Sequence, residues 1–103
     1  METLTYKYAG GDAVAAAPTL TGVVGSGNLE VLVEPADLAG ACEVEIVTAA
    51  VGFGPVWKAV VDDFFDRWRP SNLRICVNDV GATPAVVSLR LDQAMTEALG
   101  DAP

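Results

Sequence analysis

Gly54-Pro55-Val56-Trp57-Lys58-Ala59-Val60-Val61-Asp62-Asp63-Phe64-Phe65-Asp66-Arg67-Trp68-Arg69-Pro70 decides the fold of this chain. Val56, Trp57, Val60, Val61, Phe64, Phe65 and Trp68 recur at intervals of three and four, which puts them on one face of a helix. Asp62, Asp63, Asp66 and Arg67 line the other side. Proline suits the first helical turn, where its missing N–H forfeits no bond, so Gly54-Pro55 opens the helix. Pro70 ends it, because the residue before a proline is driven out of the helical conformation. The two tryptophans fit the stripe well enough to read as core and not as a cofactor platform.

Strand patterns flank this helix on both sides. Thr3 to Tyr8 alternates, with Leu4, Tyr6 and Tyr8 on one side and Thr5 and Lys7 on the other. Thr21 to Val24 enters a strand, Leu29 to Glu34 puts Leu29, Val31 and Val33 on one face, and Cys42 to Thr48 repeats the alternation after a loop over Pro35 to Gly40. Leu73 to Asp79 is a further strand. Thr83-Pro84 reads as the N-cap and first position of a closing helix whose stripe is Val87, Leu91, Met95 and Leu99. Strands, helix, strand, helix predicts an α+β domain: a mostly antiparallel sheet of about five strands with two helices packed on one face. Residues 1–103 form a single domain, in which 9–20, rich in Gly and Ala, reads as a flexible connection. Glu30, Glu34, Glu43 and Glu45 are expected on one face of paired strands, either as a solvated surface partly neutralised by Lys7 or Arg74 or as a docking surface for basic groups.

Composition narrows the chemistry. With no histidine in 103 residues, Ser-His and Cys-His nucleophile schemes are excluded within the chain. Cys42 and Cys76 lie in strand patterns and read as small buried hydrophobes; two cysteines alone close no zinc site. Sparse cysteine and the lack of a membrane-length apolar run point to a soluble, cytoplasmic protein. A net charge of −8 disfavours nucleic acid and anionic membranes and favours a basic protein partner. Hydrophobic residues make up 51% of the chain, which fits either a surface covered by another subunit or a tightly packed monomer.

One reactive group stands out against that background. Ser26 lies between Gly25 and Gly27, ahead of Asn28 and an alternating run, which is the pattern of a hairpin turn. Glycines without a Cβ leave room for a bulky group, or a foreign active site, to approach the hydroxyl. The turn runs into a strand and not a helix, so it is no phosphate-binding loop. Ser71, in a Pro-Ser-Asn connection, and Ser88, in a helical pattern, offer no such opening.

Val23-Val24-Gly25-Ser26-Gly27-Asn28-Leu29-Glu30-Val31-Leu32 and Gly81-Ala82-Thr83-Pro84, followed by Val86-Val87 and Leu89-Arg90-Leu91, resemble the acyl carrier (delta) subunit of biotin-independent malonate decarboxylases. The likeness spans nearly the whole chain and departs at Asn28, where an acidic residue is expected. It implies that Ser26, flanked by Gly25 and Gly27, carries 2'-(5''-phosphoribosyl)-3'-dephospho-CoA through a phosphodiester, making the chain a phosphoprotein of malonate catabolism. The thiol of that arm would hold acetyl and malonyl groups. The implied partners are the acyltransferase and decarboxylase subunits of one complex and a prosthetic-group transferase, the chain itself being a non-catalytic carrier. Arg90 or Lys58 are candidates for touching the phosphates, although both also read as helix-surface charges. The alternatives are a citrate lyase-type acyl carrier chain, which uses the same kind of arm, and a non-covalent interaction or scaffold module in which Ser26 is only a turn residue.

Overall fold

The computed structural model describes residues 1–9, 13–14, 22–25 and 29–99. Its elements are β1 (Glu2–Tyr8), β2 (Ala13–Val14), β3 (Gly22–Gly25), β4 (Leu29–Pro35), β5 (Cys42–Thr48), α1 (Gly54–Trp68), β6 (Pro70–Ser71), β7 (Leu73–Asp79) and α2 (Pro84–Leu99). Five strands form one sheet in the order β1-β5-β7-β4-β3. All neighbouring pairs are antiparallel except β5 with β7, which run parallel because α1 carries the chain from one end of the sheet back to the other. The expected α+β class, mostly antiparallel and with two helices over one face, is the one observed.

Alternation decides which face is covered. Leu29, Val31 and Val33 of β4, Cys42, Val44 and Ile46 of β5, and Leu73, Ile75 and Val77 of β7 are all buried on the side the helices occupy. Trp57, Val61, Phe64, Phe65 and Trp68 of α1 and Val87, Leu91, Ala94 and Met95 of α2 close over them. Each such aliphatic or aromatic side chain contributes about 1.5–3 kcal/mol by leaving water. Leu99 ends α2, and its side chain lies outside the described residues.

The helix ends follow the sequence. A proline stands in the first turn of α1, and Arg69 stops the helix in the left-handed region at φ 46°, its N–H donating to the Phe65 carbonyl at 2.7 Å. At α2, Thr83 Oγ1 accepts from the Val86 N–H at 3.3 Å, so the predicted N-cap is in place. The helices are tied together where Trp68 Nε1 donates to Asp92 Oδ1 at 2.9 Å. Tyr8 stacks on Phe65 and donates its hydroxyl to Asp62, which holds that carboxyl below its ordinary range, with Lys58 adding to the effect.

Two details depart from the periodicity. Within 9–20, Ala13–Val14 pair in parallel with Pro70–Ser71, so the first two residues of the Pro-Ser-Asn connection form a short strand, while 10–12 and 15–20 lie outside the described residues. The four glutamates do share the outer face, but β4 and β5 are not paired. β7 lies between them and sets Arg74 opposite both Glu34 and Glu43.

Candidate functional site

At one edge of the sheet β5 and β7 end, β4 begins, and both helices start. Asp79, the last residue of β7, organises that edge from a buried position. Its Oδ2 accepts from Thr48 Oγ1 at 2.9 Å, and its Oδ1 accepts from the N–H groups of Gly81 (3.2 Å) and Ala82 (2.8 Å). Its backbone carbonyl takes the Ala49 N–H, and Thr48 Oγ1 takes the Ala50 N–H. A buried carboxylate is costly unless its lone pairs are used, and here three donors use them. The local consequence is an Asx turn that swings the chain out of β7 and into α2.

Gly81-Ala82-Thr83-Pro84 thereby acquires a physical meaning. Gly81 sits at φ 125°, which disfavours any side chain, Ala82 donates to Asp79, Thr83 caps α2 and Pro84 fills its first position. Asp79 and Thr48 escaped the sequence reading because both look like polar residues closing a strand. The signal for Asp79 was the glycine two residues later, the offset at which an Asx side chain meets its own turn.

Beside this hub, Ala82, Asp79, Phe53, Val56, Trp57 and Val87 contribute to the wall of a cavity of about 260 Å³ between the first turns of α1 and α2. Among the described residues Asp79 is the one ionisable lining group, and its oxygens are already engaged. Val51 (66% exposed), Phe53 (52%), Val56 (43%) and Val80 (63%) make the surface at this edge apolar.

β3 finishes at the same end of the sheet. Gly25, the last residue of β3, pairs with Glu30, and Leu29, the first of β4, pairs with Asp79. β3 is an outermost strand of the sheet, so Gly25 stands at a corner. Ser26 and Gly27 themselves, with Asn28, lie outside the described residues. Ser71 is buried in β6, and Ser88 accepts from Arg67 Nη2 on the α2 surface.

The remaining candidates are accounted for locally. Lys58 bonds Asp62 at 2.9 Å and Arg90 donates to Gln93 at 2.8 Å, each within its own helix. Cys42 is buried on the helix side, where burial pushes its thiol up to about 12. Cys76 is half-buried on the opposite, outer face, with its thiol raised by burial and then by Glu45 and Glu34. Only Cys42 is thus the buried hydrophobe expected, because Cys76 falls on the other phase of the alternation. Among the described residues no cluster of His, Cys, Asp or Glu is placed to hold a metal, and no helix is long and apolar enough to cross a membrane.

Comparison with known proteins matches residues 16–98 to the family model described as malonate decarboxylase delta subunit (MdcD). A malonate decarboxylase acyl carrier protein of Xanthomonas campestris pv. campestris (strain B100) is 60% identical over 97 residues, covering 92% of each chain. One from Stenotrophomonas maltophilia (strain K279a) is 55% identical and covers 100% of this chain and 99% of its own. Among solved structures, a chain in the crystal structure of a Pseudomonas malonate decarboxylase hetero-tetramer in complex with malonate superposes with a TM-score of 0.78 at 36% identity, covering 94% of this chain and 98% of that one.

Proposed function

This chain belongs to the malonate decarboxylase delta subunit family, and from that premise we propose that it is the acyl carrier of such a complex, holding its 2'-(5''-phosphoribosyl)-3'-dephospho-CoA arm on Ser26 through a phosphodiester. The observation that carries the assignment is the fate of the serines. Three occur in the chain; Ser71 is buried in a strand pairing and Ser88 is engaged by Arg67, which leaves the one that follows the outermost strand. Among the described residues no strand pairs with β3 on its outer side, so the corner marked by Gly25 suits the attachment of a bulky group.

Such an arm supplies a thioester, which can accept developing negative charge that a free carboxylate repels. The chain's own contribution is to position that arm. Glu30, paired with Gly25, and the acidic balance of the molecule repel the arm's phosphates and keep them in solvent, while Lys58 and Arg90 stay on their helices. An unaided serine hydroxyl is a weak nucleophile and no histidine is present to activate it, so a separate transferase installs the group in the cytoplasm. Acyltransferase and decarboxylase subunits then act on the arm, and the carrier makes and breaks no bonds itself.

Co-production with the cognate transferase should raise the intact mass by one prosthetic group, and Ser26→Ala should abolish the gain. A loaded alanine variant refutes the site.

A further inference from the structure

The exposed apolar side chains of this molecule are not scattered. Among the described residues, Met1, Val51, Phe53, Val56 and Val80 stand exposed at the one end of the sheet where the cavity between α1 and α2 lies, and Leu89 on α2 is the exception. Apolar side chains gathered in this way mark a surface that another molecule covers.

Glu2 adds a polar signature at the same end. It pairs with Thr48 and shares the helix-side face of β1 with Leu4, whose Cδ2 lies 4.0 Å from where a Cβ on Gly54 would stand. Two residues nearer the end of the sheet, Glu2 stands beside the start of α1, and its Oε1 is buried with no hydrogen-bond partner among the described residues. A buried acceptor without a donor is disfavoured, and a cationic donor satisfies it best.

We propose that this end of the sheet is the surface by which the carrier is seated on a partner subunit of its complex, and that a loop of the partner inserts one large apolar side chain into the cavity and sets an arginine or lysine against Glu2. This names the partner surface for the carrier reading and rests on that reading.

Size and charge choose the occupant. About 260 Å³ is below the roughly 300–1,000 Å³ of small-molecule sites and suits a single protruding side chain. Phe53, Val56, Trp57, Ala82 and Val87 make its wall apolar, and Asp79 already has its oxygens engaged, so a cation has no place inside and meets Glu2 instead. A second copy of this chain is the wrong occupant, because two chains of net charge −8 repel each other. The start of α1 has no side-chain cap, since Phe53 stands at the cap position, and a backbone carbonyl of the inserted loop can take an N–H of the first turn. β3 also finishes at this end with Gly25, the residue before Ser26, so a subunit seated here is held at the end of the sheet on which its chemistry is needed.

The test uses the complex co-produced with the full-length, unloaded carrier, and native mass spectrometry on dilution reads the concentration at which half of it has lost the carrier. Val56→Asp and Val80→Asp should each raise that concentration about thirtyfold or more, as at an interface hot spot. Both positions are exposed, and an aspartate in the first turn of α1 suits that helix, so the fold is kept, which urea denaturation checks. Ala82→Leu, which narrows the cavity, should raise it about tenfold. Glu2→Gln should raise it about fivefold and flatten its dependence on salt. Leu89→Asp, an equally apolar and exposed position on α2, should change nothing. Unchanged retention in Val56→Asp and Val80→Asp, a loss at Leu89 as large as theirs, or a carrier that dimerises without partners through Val56 each overturn the proposal. Loading of the unsubstituted chain by the transferase is read separately by mass. A chain that gains no prosthetic group removes the carrier reading, whereas one that gains it and binds through other residues overturns this docking surface alone.

Discussion

β7 is anchored at its two ends by side chains of nearly the same shape, and the two ends behave differently. At the start, Asn72 Oδ1 accepts from the N–H groups of Leu38 (3.1 Å) and Gly40 (2.8 Å), while its backbone exchanges bonds with Ala36 and Ala41. At the finish, Asp79 takes Gly81 and Ala82, two and three residues on, together with Thr48. Asn72 therefore directs both side-chain bonds to a distant loop, whereas Asp79 divides its carboxylate between its own turn and Thr48 at the end of β5. The difference teaches that one end of β7 is pinned by a loop folded back over it, while the other shapes the turn into α2 beside the apolar cavity.

The largest effect that can break this comparison is Asp79→Ala. It orphans buried Thr48 and the part-buried N–H groups of Gly81 and Ala82, which at about 1 kcal/mol each should cost about 3 kcal/mol in urea denaturation. A loss under 1 kcal/mol would mean that the carboxylate does not hold that end. Asn72→Ala should cost about 2 kcal/mol, from two lost bonds and from placing alanine at φ 54°. Asn72→Gly relieves the backbone component and should recover part of it. Hydrogen exchange sharpens the contrast: the Leu38 and Gly40 amides should speed up in these variants while those of Gly81 and Ala82 stay protected.

A smaller effect comes from Cys42, buried at the Asn72 end and paired across to Leu73. Its thiol is raised from 9.0 to about 12 in the folded chain, so the unfolded form releases its proton first. The stabilisation is therefore complete below about pH 9 and is lost as pH rises toward 12, on the order of 1 kcal/mol between pH 9 and 10. A denaturation midpoint that stays flat over that interval would place Cys42 in contact with water. Smallest of all, Arg74→Ala breaks a half-exposed ion pair with Glu43 on the outer face and should change stability by about 0.5 kcal/mol or less. A larger loss would mean that the acidic face needs its cation to fold.

Much of this was legible beforehand. The alternation of β1, β4, β5 and β7 and the stripes of α1 and α2 are local patterns, and so are Pro55, Thr83 and Pro84 at the helix starts. Legibility failed where a residue's role depends on a segment far along the chain. Asn72 gave no hint of Leu38 and Gly40, and Cys42 and Cys76 looked alike until β5 and β7 were laid side by side.

The order of residues by itself determined which segments become strand or helix and which side of each faces the core, because period 2 and period 3.6 are properties of a single stretch. Only the tertiary structure decided that β7 enters between β5 and β4, that Arg74 therefore stands between two glutamates, and that an apolar cavity opens beside Asp79 between the first turns of α1 and α2. Strand neighbours and cavities come from contacts between distant segments. Their free energy belongs to the pairing and is written in neither segment alone.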